Sequence, residues 1–111
     1  MILYVIRNPQ WKKSNNFPVI TRGWGNGYVA VPPTHCLHGI DYDTLLYSID
    51  VHGGLTYTDF GNGENAPKDW WVFGFDTSHY NDTLEKWPKE AVEAETKRLF
   101  SQLLDIELGE L

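Results

Sequence analysis

The apolar pattern of this chain changes period once, after Asp82. Beyond that point Val92, Thr96, Leu99, Leu103 and Ile106 recur at intervals of three and four, the spacing of one helical face. Pro88 suits the first turn of such a helix, and Glu90 and Glu93 suit its positive end. Before Asp82 the apolar residues alternate or run in short stretches broken by Gly, Pro and Asn, as strands do. A single helical pattern excludes a parallel sheet built from alternating strands and helices. What is left is α+β: a mostly antiparallel sheet of about five strands with one C-terminal amphipathic helix. The 111 residues suffice for one domain, 1–111, and one core.

The strand candidates follow in order. Met1 to Arg7 is apolar and ends at Asn8-Pro9. Phe17 to Thr21 is a short candidate, which Pro18 confines to an edge or a strand start. Asn26-Gly27, between apolar runs, predicts a hairpin turn that returns as Tyr28 to Val31. Pro32-Pro33 stops that strand. In Leu45 to His52, alternation puts Tyr47, Ile49 and Val51 on one face and Ser48, Asp50 and His52 on the other. Thr56 to Thr58 is expected to pair back across Gly53-Gly54. Trp70 to Asp76 is apolar on both faces and should be a central, doubly covered strand. Gly74, two residues before Asp76, leaves room on that face for a large neighbour such as an imidazole.

Two of these stretches, Ile49 to Tyr57 and Gly74 to Asp82, end in histidine and acids. We expect them to form two walls of one site, with His52, Asp76 and His79 lining it. The competing reading is that Gly53-Gly54 and Thr77-Ser78 are turns whose histidines satisfy surface hydrogen bonds.

Net charge is −6, and it is unevenly spread. Residues 1–40 carry Arg7, Lys12, Lys13 and Arg22 and no acid, whereas 41–84 carry eight acids and only Lys68. An acidic chain without a Lys/Arg cluster argues against DNA or RNA as partner. The one cysteine, Cys36, allows neither an internal disulfide nor a cysteine-based zinc set, and suits a reducing interior. Met1 to Ile6 is too short for a signal or a membrane span. The expectation is a soluble cytoplasmic protein with no membrane partner. Homo-oligomerisation stays open.

The residues carry three site chemistries. His35, His52 and His79 with Asp76 or Asp82 offer metal-type donors, but Asp76-x-x-His79 matches no familiar metal motif and the histidines lie on separate segments. The sequence therefore assigns no metal and no cofactor. Acid–base chemistry would use His52, oriented by Asp50 or Asp76, with His79 opposite. Binding without chemistry uses the same residues: Trp24, Tyr28, Tyr57 and Tyr80 to stack on a base, Asp50, Asp76 and Asp82 to accept hydrogen bonds, Arg22 and the Gly53-Gly54 backbone to meet a phosphate. Asn26, His35 and Thr56 complete the expected ligand-binding set. The Gly25-x-Gly27 loop is not a dinucleotide fingerprint, because its glycines alternate and no helix follows.

The run Gly27 to Pro32, then His35, Gly39 to Tyr42, Val51 to Tyr57, Trp71 to Asp76, His79 and Asp82, resembles a family of small proteins from bacteriophages and prophages. The likeness spans most of the chain. It implies a phage-type origin, and by analogy a counter-defence role such as sequestering a cyclic-nucleotide or ADP-ribose-like immune signal. A small hydrolase or lyase acting on such a nucleotide is the first alternative. A protein–protein inhibitor presenting exposed aromatics is the second.

Overall fold

The computed structural model describes residues 1–9 and 22–107. Its strands are β1 (Ile2–Arg7), β2 (Gly25–Val31), β3 (Tyr57–Phe60) and β4 (Trp71–Phe75), and its helix is α1 (Lys89–Glu107). The strands form one sheet in the order β1-β2-β4-β3, every neighbouring pair antiparallel. The fold is α+β, with four strands among the described residues rather than about five. The expected strand over 17–21 lies outside them.

Strand β4 is central and all five of its residues are buried, as its two apolar faces require. Its odd-numbered residues, Trp71, Phe73 and Phe75, join Val29 and Val31 of β2 in the main core. Helix α1 covers that face with Val92, Thr96, Leu99 and Leu103, each fully buried. The opposite face carries Tyr4, Tyr28 and Tyr57 in a row across the strands, Tyr4 stacked on Tyr28 at 5.1 Å and Tyr57 edge-on to Tyr28 at 5.5 Å. Burial, with Tyr57 and Tyr28 nearby, pushes the Tyr4 phenol up to about 12.

Several expectations are corrected. Asn26-Gly27 is not a turn. It lies inside β2, where Gly27 opposes Phe75 and a Cβ would strike the Thr96 hydroxyl, so this glycine serves close helix–sheet packing. The room at Gly74 is taken by Tyr28, not by an imidazole: an added Cβ would lie 2.7 Å from the Tyr28 ring.

Leu45 to His52 is not a strand. A 3₁₀ turn spans Tyr42–Leu45, and the chain then runs irregularly over the helix. Ile49 and Val51 are buried as alternation requires, but Tyr47 is fully exposed. The reason lies in the hydrogen bonding. The Asp50 and His52 N–H groups donate to the side chains of Gln102 and Glu95 on α1, both at 2.8 Å, so the segment's backbone is satisfied without a neighbouring strand. Thr56 to Thr58 accordingly does not pair back across Gly53-Gly54. The chain turns there and pairs with β4 instead.

Candidate functional site

Two tight turns meet at the end of the sheet where β2 starts and β4 finishes. In the first, Gly54 N–H donates to Val51 O at 2.9 Å. Its third residue, Gly53, has φ +70°, a conformation that favours glycine. Val51 is buried and anchors the turn in the core, which leaves His52 projecting from it.

The second turn is set up by Asp76, whose carboxylate accepts the Ser78 N–H at 3.0 Å. Thr77 is fully buried. Its hydroxyl donates to Gly25 O and its carbonyl accepts the Gly23 N–H, both at 2.7 Å. The chain then reverses over His79–Asp82, with Asp82 N–H donating to His79 O at 2.9 Å. Asn81 takes the left-handed position at φ 72°, which its short polar side chain tolerates.

The turns converge on Asp82, which is only 4% exposed. Its carboxylate accepts the His79 N–H at 2.9 Å, His52 Nε2–H at 2.8 and 3.0 Å, and His79 Nδ1–H at 3.3 Å. Burial raises the Asp82 carboxyl. The hydrogen bonds from His52 and His79, with the His52 ring's charge, outweigh it and hold the group below the ordinary carboxylate value. An ionised carboxylate cannot donate, so each ring carries its proton on the nitrogen facing Asp82. In the neutral form of each ring, His52 Nδ1 and His79 Nε2 are then acceptors.

Packing fixes both rings. The His52 ring lies on Trp87, centroids 4.2 Å apart, and crosses the His79 ring nearly at right angles at 5.4 Å. The His79 ring rests on Gly53, where a Cβ would come within 2.6 Å of Nε2. Asp76 reaches the same His79 nitrogen, Oδ1 to Nδ1 at 3.2 Å. One imidazole nitrogen thus faces two carboxylates. His52, His79 and Asp82 offer ligand atoms all within 4.8 Å of one another, a donor set able to hold a metal ion.

The expected site residues divide. His52, Gly53, Asp76, His79 and Asp82 come together, and Gly54 completes the first turn. Trp24 lies alongside, its N–H bonded to Trp87 O at 2.8 Å and Lys89 Nζ 5.6 Å from its ring. Arg22 precedes Gly23 at the same end. The others lie elsewhere. Tyr28 and Asn26 are bonded to each other at 3.2 Å, Tyr28 in the tyrosine row on the opposite face. Asp50 is exposed on the helix side, 3.4 Å from Arg98. Thr56 N–H continues the sheet by bonding Gly74 O. His35 lies beneath the later turns of α1, its Nε2 bonded to Leu103 O at 2.8 Å and its Nδ1 accepting the Leu37 N–H at 3.0 Å.

Sequence reasoning missed Trp87, which backs His52, and Glu95, which holds the His52 backbone. Trp87-Pro88 reads only as a helix lead-in. Glu95, Arg98 and Gln102 do form a polar stripe beside the apolar face, at helical spacing. The stripe marks a helix edge that meets polar backbone, but not which backbone.

Among the described residues, no helix is long and apolar enough to cross a membrane. No family model, curated protein or solved structure matches the chain.

Proposed function

We propose that the protein binds a small polar ligand, a nucleotide-derived signal, at the two-turn cluster and holds it without transforming it. The observation that carries this reading is the pair of part-exposed imidazoles fixed to one buried carboxylate. In the neutral rings, the nitrogens not bonded to Asp82 can accept hydrogen bonds from hydroxyl or amino groups, and Asp76 beside them accepts more. Trp87, Trp24 and the exposed Tyr80 supply aromatic surface for a base. Lys89 over Trp24, and Lys86 against the Asn81 carbonyl at 3.4 Å, supply cations for a phosphate. The class of ligand comes from the resemblance to phage proteins, as analogy.

A second reading has its own support. A carboxylate-oriented imidazole, as His52 is by Asp82 at 2.8 Å, is also the arrangement of a general base. One experiment separates the two. The pure protein is incubated with cyclic dinucleotides, cyclic ADP-ribose isomers and ADP-ribose, then denatured, and the small molecules are recovered. Intact ligand released only on denaturation supports sequestration, and altered ligand supports a hydrolase or lyase. If none of the panel is retained or altered, both readings fall.

A further inference from the structure

We infer that His52 Nε2, His79 Nδ1 and an Asp82 carboxylate oxygen form a binding site for a borderline divalent transition-metal ion of the zinc class, with a fourth position open toward Asp76. This inference does not rest on the nucleotide reading and is tested without any nucleotide.

The spacing is the first argument. Zinc bonds its nitrogen and oxygen ligands at about 2.0–2.1 Å, so tetrahedral donors stand about 3.3 Å apart. His52 Nε2 lies 2.8 and 3.0 Å from the two Asp82 oxygens, and His79 Nδ1 lies 3.3 Å from one of them. All three donor atoms fall within 4.8 Å of one another. An ion between them asks the carboxylate to move outward by a few tenths of an ångström and the two imidazole nitrogens, up to 4.8 Å apart, to draw together by about 1.5 Å through side-chain rotation.

The second argument is orientation. The nitrogens that would bind the ion are the two that already point at Asp82. Each neutral ring keeps one proton, so on binding the proton now facing Asp82 moves through solvent to the other nitrogen, His52 Nδ1 or His79 Nε2. The ion takes the place of two hydrogen bonds along the same directions, and the one carboxylate leaves a net charge of +1 that Asp76, beside the open position, offsets.

The third argument is Asp76. His79 Nδ1–H has two carboxylate oxygens within 3.3 Å and one proton to give them. A cation at that nitrogen gives both carboxylates a partner. Three protein donors with one open position, from imidazole and carboxylate, is the ligand set of zinc sites that accept water or a further ligand. Packing on Trp87 and Gly53 fixes the two rings from outside the donor set.

The test uses the purified chain, stripped of metal by chelator and titrated with Zn²⁺ against a chromogenic chelator, then with Co²⁺ followed by visible absorption. The expected result is one ion per chain, with a Co²⁺ band of the intensity that four- or five-coordinate sites give. His52→Ala and His79→Ala should each weaken Zn²⁺ binding by about a hundredfold, at the upper end of what even supporting residues cost. His38→Ala should leave it unchanged, because that ring lies elsewhere, bonded to Asp69 O at 2.7 Å. If either cluster variant fails to fold, the imidazole ¹⁵N shifts of the unaltered protein decide. Zn²⁺ should move the resonances of His52 Nε2 and His79 Nδ1 and leave those of His38 in place. Absence of stoichiometric Zn²⁺ binding overturns the site, as does binding that survives both substitutions or leaves both ring resonances still.

Discussion

His35 and the His52–His79 pair show how differently one residue type is used in a small fold. The His35 side chain is fully buried, and both its nitrogens are committed to backbone groups, Leu103 O on the helix and Leu37 N–H in its own turn. It fastens a loop to α1 and has no nitrogen left for anything else. His52 and His79 are part-exposed, and each commits one nitrogen to a carboxylate, with no hydrogen-bond partner for the other among the described residues. Backbone partners on both sides make a histidine structural. A buried carboxylate on one side and an uncommitted nitrogen on the other make it available for chemistry or binding.

The contrast can be broken most severely through the helix. Leu103→Ala empties a fully buried site beside the His35 contact and should cost about 2–5 kcal/mol in denaturant unfolding. The molecules that stay folded should keep an intact His52–Asp82 contact, read from their imidazole resonances. An unchanged unfolding midpoint would contradict the packing described. His35→Leu should cost about 1–3 kcal/mol, because it leaves the Leu37 N–H without its partner. A loss as small as that from truncating an exposed histidine would show that His35 is not structural.

On the other side of the comparison, Gly53→Ala puts a side chain at φ +70° and into the His79 ring, and should cost about 1–3 kcal/mol. It should also displace the His79 resonances while leaving those of His35 in place. His79→Gln, at a part-exposed ring, should cost under about 1 kcal/mol in the same unfolding assay.

A pH titration of stability sharpens the contrast further. Asp82 ionises more readily folded than unfolded, so the unfolded chain takes up the proton first as pH falls. The stability it contributes is complete above the ordinary carboxylate range, near 3.9, and is lost as pH drops through that value toward the lower folded one. Asp82→Asn should flatten that part of the profile. An unaltered acid limb would mean that the hydrogen bonds to Asp82 carry no net weight.

The helix and the central strand were legible in the sequence because each depends on a local period. Val92, Thr96, Leu99 and Leu103 declare their face by spacing alone, and Trp71 to Phe75 are apolar throughout. The segment before His52 was misread for a physical reason. Ile49 and Val51 alternate as in a strand, but what decides the backbone is where its N–H groups find acceptors, and those are Gln102 and Glu95, some fifty and forty residues on. Asn26-Gly27 was misread for a similar reason. A glycine demanded by a helix packing across it looks the same in sequence as a glycine demanded by a turn. At the cluster, the density of histidine and acid marked both stretches. Which carboxylate takes which imidazole follows from two turns, and the spacing of residues does not encode it. The tyrosine row comes from the register of all four strands, Tyr28 and Tyr57 both pairing with Gly74 of β4, and has no signal in the separate strands.

The sheet order described above also bears on how the chain reaches this state. The central pairing of β2 with β4 joins residues from 40 apart, Val31 with Trp71, to 48 apart, Gly27 with Phe75. Such distant closures are slow compared with local ones. The helix that covers Phe73, Phe75, Val29 and Val31 follows every described strand, so during synthesis the apolar face waits uncovered until α1 has emerged. The His52 N–H waits with it, because its acceptor, Glu95, lies within that helix. On a ribosome, then, the two turns can form early, but the histidine cluster is set in place by an element made after all the described strands. A nascent chain stalled before α1 should be sticky, open to proteases and unable to perform whatever the cluster does.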